Sequence, residues 1–149
     1  LNAAYRYLGY RPRSEGEMRS RLSQRGFKDN VIDGTINTLL QQGLLDDYKF
    51  AKFWKENRLT FRPRSKRLIK KELLDKSVPP DIVEQVIQDV DDEGNAYVLG
   101  RNRLHGLEGL DYADFYRRLS SFLAYRGFPY EITRRIIRRL WREKETQQV

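Results

Sequence analysis

Cysteine is absent from this chain of 149 residues, and histidine occurs once. The first absence removes disulfides, thiol nucleophiles and thiolate metal sites together and fits a reducing compartment. The second leaves His105 without another imidazole for a zinc site. Long apolar stretches are missing too. No run exceeds four residues, as in Phe122-Leu123-Ala124-Tyr125, against the ~20 that a membrane-spanning helix needs. No secretory signal is visible, and because the chain opens on Leu1, a trimmed start stays open. Sustained period-2 alternation between hairpin turns is lacking, which argues against strands. Catalytic signatures are equally scarce. There is no Walker A or G-x-G-x-x-G loop, and no nucleophile elbow around Ser14, Ser65, Ser120 or Ser121. No cofactor and no metal is expected, and the chain does not read as an enzyme. A metal-dependent nuclease built from scattered acids is the one catalytic class left open.

What the chain does have is charge. Charged residues make up 34% of it and hydrophobic residues only 39%, and 29 basic against 21 acidic residues leave a net charge of +8. Such a composition suits an elongated object with a large surface better than a sphere. The excess is spread as +3, +3 and +2 over residues 1–45, 46–90 and 91–149, with no detachable basic tail. That spread favours a long polyanion or an extended acidic partner over a point ligand; solubility alone is the plain alternative.

The same three segments echo one another. Arg11-Pro12-Arg13-Ser14 recurs 51 residues later as Arg62-Pro63-Arg64-Ser65, and Arg25-Gly26-Phe27 returns as Lys76-Ser77-Val78 and Arg126-Gly127-Phe128. Apolar positions keep step: Met18, Ile69 and Leu119, then Leu22, Leu73 and Leu123. Past the Gly or Ser come Val31, Ile82 and Ile132, then Ile36, Ile87 and Ile137, then Leu39, Val90 and Leu140. A unit this small cannot bury its apolar face alone, so copies must pack on neighbours, and three is about the minimum for a stable array.

Each unit reads as three helices. The first is aromatic-rich, with Phe50, Phe53 and Trp54 at the i, i+3, i+4 spacing of one face, Ala96, Tyr97, Leu99 and Leu104 in the last copy, and a short version from Ala3 to Leu8. The second opens at Ser14, at Ser65, and at Asp111 or Asp114, all good N-caps, and Ser14 with Glu17 fits a capping box. It ends at Gly26, Ser77 or Gly127, where left-handed φ is wanted. The third, near 30–42, 81–90 and 130–142, has Pro79-Pro80 or Pro129 at its start. The expected fold is all-α: three tandem three-helix repeats of helix-turn-helix outline, 1–45, 46–90 and 91–149, in an elongated, curved array. Leu44 and Leu45 are expected to tuck into the seam between neighbours. Asp46-Asp47 and Asp91-Asp92 should sit at helix starts, and His105 to Asp111 should be the most mobile loop.

Arg-Pro-Arg-Ser is the sharpest candidate site. Proline pushes the arginine before it into an extended conformation, and Ser begins a helix whose free N–H groups form a positive pole. Arg11 and Arg13, or Arg62 and Arg64, are unfavourable beside that pole unless something negative sits there. A bound anion is one resolution; pairing with acids such as Glu15 or Asp47 is the other. Two basic faces follow. Lys66/Lys70 and Arg67/Lys71 stack at i, i+4, as do Arg134/Arg138, Arg135/Arg139 and Arg138/Arg142, each like-charge pair costing a few tenths of a kcal/mol. Phosphate contact with counterion release accounts for them, and so does a solvated face softened by Asp75 and Glu131. Tyr5, Tyr7, Tyr10, Tyr48, Trp54, Tyr116, Tyr125 and Trp141 are the third group. Base stacking or a partner's groove would use them, but their recurrence at core-spaced positions favours core packing.

At these residues the sequence resembles the RecX family, regulators of the RecA recombinase. The likeness runs through Tyr7-Leu8, Arg11-Pro12-Arg13-Ser14-Glu15, Leu22 and Gly26-Phe27, then Leu44-Leu45-Asp46-Asp47 with Phe50 and Ala51. It continues through Arg58, Arg67-Leu68-Ile69, Glu72-Leu73 and Val78, covers essentially the whole chain, and is strongest over the first two units. The resemblance implies tandem three-helix modules that bind in the groove of the RecA–DNA filament. It also implies inhibition of RecA's recombinase, ATPase and co-protease activities, within DNA recombination, repair and the SOS response. A cytoplasmic monomer is expected, with weak, non-specific binding of single- or double-stranded DNA and no membrane partner. In the third unit Gly109-Leu110-Asp111-Tyr112 replaces Arg-Pro-Arg-Ser, so that turn's roles are not carried there. Two other readings stay open. One is a stand-alone helix-turn-helix DNA-binding regulator that needs no RecA, weakened by the lack of an evident dimer seam. The other is a helical-repeat adaptor for an acidic protein.

Overall fold

The structure, a computed structural model, describes residues 1–147. Among them are nine α-helices, one 3₁₀ turn and no strand. The helices are α1 (Asn2–Leu8), α2 (Glu15–Gln24), α3 (Asp29–Gln41), α4 (Asp47–Phe61), α5 (Lys66–Asp75), α6 (Pro80–Ile87), α7 (Asp92–Asn102), α8 (Tyr112–Tyr125) and α9 (Tyr130–Gln147), with the 3₁₀ turn Leu104–Leu107 between α7 and α8. No helix among the described residues is long and apolar enough to cross a membrane. The chain divides into two compact units, residues 1–57 with 70–88, and residues 58–69 with 89 onward. The division falls inside α4 and α5, so the middle copy of the repeat contributes to both units.

Local chemistry explains where the helices begin and end. Ser14 Oγ accepts from the Glu17 amide while the Glu17 carboxylate accepts from the Ser14 amide, a complete capping box on α2. Asp111 caps α8 through the Asp114 amide. α2, α5 and α8 then end alike. Residues 26, 77 and 127 take φ of +89°, +65° and +88°, and the next amide donates back to Leu22, Leu73 and Leu123. That is a Schellman closure repeated three times. Pro80 stands in the first turn of α6, where its missing N–H costs nothing. α9 continues to Gln147, beyond the expected 142, because Arg142-Glu143-Lys144-Glu145 are good helix formers with no glycine or proline to stop them. α6 stops at Ile87, short of the expected 90, since Asp91 already caps α7 and the chain needs Gln88 to Val90 to turn.

The apolar repeat fills the core. Met18, Ile69 and Leu119, Leu22, Leu73 and Leu123, Ile36, Ile87 and Ile137, and Leu39, Val90 and Leu140 are all buried. One register differs from expectation. Val31 is exposed and Ile82 and Ile132 are half-buried, whereas Ile32, Val83 and Thr133 are buried. The reason is helical spacing: 32, 83 and 133 lie four residues before Ile36, Ile87 and Ile137 and share their face, while a five-residue step turns away from it. In the first unit α2 packs on α1 and α3 around Ala4, Met18, Leu22, Ile36 and Leu39. Leu45 joins that cluster, but Leu44, expected beside it, is 47% exposed. In the second unit α7 and α8 pack on α9 around Leu99, Phe115, Leu119 and Ile137. The stretch expected as a loop from His105 is partly the 3₁₀ turn, anchored by buried Leu107.

Candidate nucleic-acid interface

In the first Arg-Pro-Arg-Ser turn the negative group beside the helix pole is internal. Arg11 forks onto both carboxylate oxygens of Glu17, at 3.1 and 2.5 Å, and its guanidinium lies 5.4 Å from the Trp54 ring centre. Arg13 donates to the Tyr7 carbonyl and stacks 3.8 Å over the Tyr7 ring. Burial opposes ionisation of Glu17, but the Arg11 hydrogen bond and the Ser14 amide outweigh it and hold the carboxyl below its usual range. Burial and neighbouring Arg11 pull the Arg13 guanidinium down. The acids expected opposite these arginines act elsewhere. Asp47 Oδ1 accepts from the Glu15 amide at the start of α2, and burial, with Glu15 and Asp46 nearby, pushes its carboxyl up despite that hydrogen bond. Glu15 approaches Arg19. Ser14, fully buried, also donates to the Lys76 carbonyl, which ties the turn to the closure of α5.

The second turn repeats this frame without its acid. The Lys66 amide donates to Asp92 Oδ1, as Glu15 does to Asp47, and the Leu68 amide donates to Ser65 Oγ. The Ser65 amide donates to the Arg126 carbonyl and Arg126 Nη1 to the Pro63 carbonyl. Leu68, however, stands where the first copy has Glu17. Arg62 is exposed with no acidic partner among the described residues; Arg64 donates to the Arg62 carbonyl. The two-Asp junctions thus do more than favour a dipole. Asp46 and Asp91 cap their own helices, through Lys49 and Gly94, while Asp47 and Asp92 cap α2 and α5.

The basic faces are partly compensated. On α5, Lys70 meets Glu84 and Lys71 meets Asp75. Arg67 donates to the Gly127 carbonyl, and Lys66 has no acidic side-chain partner among the described residues. On α9, Arg135 approaches Glu93 at 3.5 Å, and Arg139 pairs with Glu143 and stacks on Tyr97. Arg134 keeps a buried Nε with no hydrogen-bond partner. Arg138 and Arg142, one turn apart, are exposed and without an acidic partner among the described residues. With Arg135, Arg139 and Glu143 they line an open groove of about 330 Å³. His105 is fully in solvent, and no three His, Asp or Glu side chains converge on a metal position among the described residues.

The aromatic residues depart most from expectation. None of the eight singled out is fully buried. Tyr7, Tyr116 and Trp141 lean on the cores, Trp54 donates to Glu72, and Tyr10 and Tyr125 stand 79% and 84% exposed. Phe50, Phe115 and Phe128 fill the core instead, because a phenyl ring has no polar edge to satisfy. A second arginine cluster also escaped the sequence reading: Arg103, Arg117 and Arg118 line a groove with Phe122 and Tyr125. The i, i+3, i+4, i+7 spacing of Arg118, Ser121, Phe122 and Tyr125 was the available signal.

This frame has counterparts. The crystal structure of RecX from Lactobacillus salivarius matches with a TM-score of 0.79 at 23% identity, covering 93% of this chain and 92% of that one, a likeness of fold. A regulatory protein RecX from Prosthecochloris aestuarii is 31% identical over 137 residues, 92% of this chain and 90% of that protein. Another, from Mycobacterium avium, is 33% identical and covers 89% of this chain and 79% of its own length. The family models for the first, second and third three-helix domains of RecX match residues 1–39, 46–87 and 91–137 in turn. With all three domains in order along nearly its whole length, the chain belongs to the RecX family of regulatory proteins.

Proposed function

We propose that this chain is a negative regulator of the RecA recombinase that binds, as a cytoplasmic monomer, in the groove of the RecA–DNA filament. It lowers strand exchange, ATP hydrolysis and co-protease activity by occupancy and catalyses no reaction of its own. Family membership supports the regulatory role. The observation that carries the contact is the pair Arg138 and Arg142, which line a groove with two further arginines, where the one acid, Glu143, is engaged by Arg139 and Tyr97. Lys66 and Arg62 extend the set, with Arg64, Arg67, Lys70, Lys71, Arg134, Arg135 and Arg139 as weaker contacts, each already engaged inside the protein or partly buried. Arg11 and Arg13 act inward, on Glu17 and Tyr7. Several phosphates gripped at once make affinity fall steeply with salt. The test titrates RecA strand exchange and ATP hydrolysis with the wild-type chain and with an Arg138→Glu, Arg142→Glu double variant, alongside binding to bare DNA. Wild type should inhibit below equimolar RecA. The double variant should inhibit less, and its log–log salt slope should be shallower by roughly 1.5. Unchanged RecA rates at equimolar wild type refute filament regulation, and a single-sequence, salt-independent footprint on bare DNA would favour a stand-alone regulator.

A further inference from the structure

The second groove lies within one compact unit, between the turn that follows α7 and the face of α8. Its volume is about 720 Å³, and none of its lining residues is acidic. Arg118, Ser121, Phe122 and Tyr125 share one side of α8 by their i, i+3, i+4, i+7 spacing. Arg103 reaches in from the opposite wall with its guanidinium 4.3 Å over the Phe122 ring, and Arg126 sits 5.3 Å from the same ring. Phe122 is therefore already covered by cations. Tyr125 is not: at 84% exposure it presents a large flat ring to solvent at the end of the groove. Arg118 has no acidic partner among the described residues, and Arg117 has only Asp114 at 3.5 Å, both exposed.

We infer that this groove binds a single strand of nucleic acid, with its phosphates on Arg103 and Arg118 and an unpaired base stacked on Tyr125. The inference rests on the reading of the chain as a regulator that touches DNA, and adds a strand-selective subsite that needs no RecA. Three arginines in a lining without an acid, only Arg117 of them near an exposed carboxylate, select a polyanion. An exposed ring beside them selects among polyanions. A duplex keeps its base faces stacked and offers none to Tyr125, whereas a single strand turns bases outward onto such a ring. An acidic peptide would satisfy the arginines and leave the ring unused.

The test measures fluorescence anisotropy of a labelled oligothymidylate of ~12 residues, an abasic strand of the same length and a duplex, with polyglutamate as competitor. The proteins are the full chain and its Tyr125→Ala, Tyr125→Phe and Arg118→Gln variants, each checked for helix content. Wild type should prefer the oligothymidylate to the abasic strand. Tyr125→Ala should weaken oligothymidylate binding roughly ten-fold and erase that preference. Tyr125→Phe should keep it. Arg118→Gln should weaken both strands and flatten the salt slope by about 0.7. Equal wild-type affinity for both strands, no loss in Tyr125→Ala, or polyglutamate displacing the strand equally from wild type and Tyr125→Ala would overturn the inference. RecA strand exchange measured in parallel separates the two claims. Inhibition without base-dependent binding sinks only the subsite, and base-dependent binding without inhibition sinks only the filament role.

Discussion

Replacing Gly127 by alanine should cost far more than the same change at Gly26, although the two residues occupy equivalent turns with nearly identical backbones. Their φ values are +88° and +89°, so forcing an L-residue into the left-handed region costs both about 1–2 kcal/mol. Their surroundings differ. A methyl at Gly26 meets nothing within 4 Å, whereas one at Gly127 would lie 2.5 Å from Ser65 Oγ and 3.0 Å from Leu68 Cβ. Ser65 is fully buried and caps α5 through the Leu68 amide, so it cannot swing aside without losing that bond. Overpacking adds about 1–3 kcal/mol, which takes Gly127→Ala to about 2–5 kcal/mol against 1–2 for Gly26→Ala. Urea unfolding followed by tryptophan fluorescence measures both, since Trp54 reports one compact unit and Trp141 the other. The first unit supplies an internal check. There the small residue is on the other side: Gly16 lies so close to Ser77 that a methyl added to it would collide with the Ser77 Cβ. Gly16→Ala should be rescued in part by Ser77→Gly, a positive coupling in a double-mutant cycle. Equal losses for Gly26→Ala and Gly127→Ala, or no rescue at position 77, would refute the view that each seam between copies closes on one residue without a side chain.

Two further outcomes follow from the carboxylates. Asp47→Asn keeps an oxygen for the Glu15 amide and removes a half-buried charge, so urea titration at neutral pH should find it near wild type; Asp47→Ala should lose about 1–2 kcal/mol, and equal losses for both would show that the charge, not the acceptor, matters. Glu17 titrates below its usual range in the folded chain, so its contribution is present above the unfolded carboxylate pKa of about 4.3 and vanishes as pH falls through the folded value. Stability of wild type should therefore fall more steeply with acid than that of Glu17→Gln, and parallel stability curves would contradict the Arg11–Glu17 lock.

Architecture was legible because repetition is a property of the chain itself. The 51-residue recurrence placed the helices, and Ser14 with Glu17 announced its own capping box, since both partners lie within one turn. Residues such as Val31 and Ile32 show where legibility stopped. Both are apolar and adjacent, so aligning copies by identity chose 31, while helical phase chose 32. Partner choice was harder still. Glu15 and Glu17 lie within six residues of Arg11 and Asp47 lies 36 away, but only the folded turn assigns Glu17 to the guanidinium and Asp47 to a backbone amide of another helix. The role of Asp92 is wholly tertiary, since it serves Lys66 from 26 residues away. Arg103 had no local signal, being drawn to Arg118 by the turn after α7.

Divergence between the copies sorts the arginines better than their number does. At the position of Glu17 the second copy has Leu68, and the third copy drops the Arg-Pro-Arg-Ser turn altogether. The frame survives the first change because its fixed parts are the buried serine, the aspartate capping from the first helix of the next copy, and the carbonyl of the following closure. None of these needs an arginine. Arg11 is consumed in neutralising Glu17, a charge that the first copy itself introduced. Arg62, facing no such acid, keeps its charge for solvent or for a phosphate. An arginine that recurs in the repeat can therefore be structural in one copy and available in the next, and the acid three residues past the buried serine decides which.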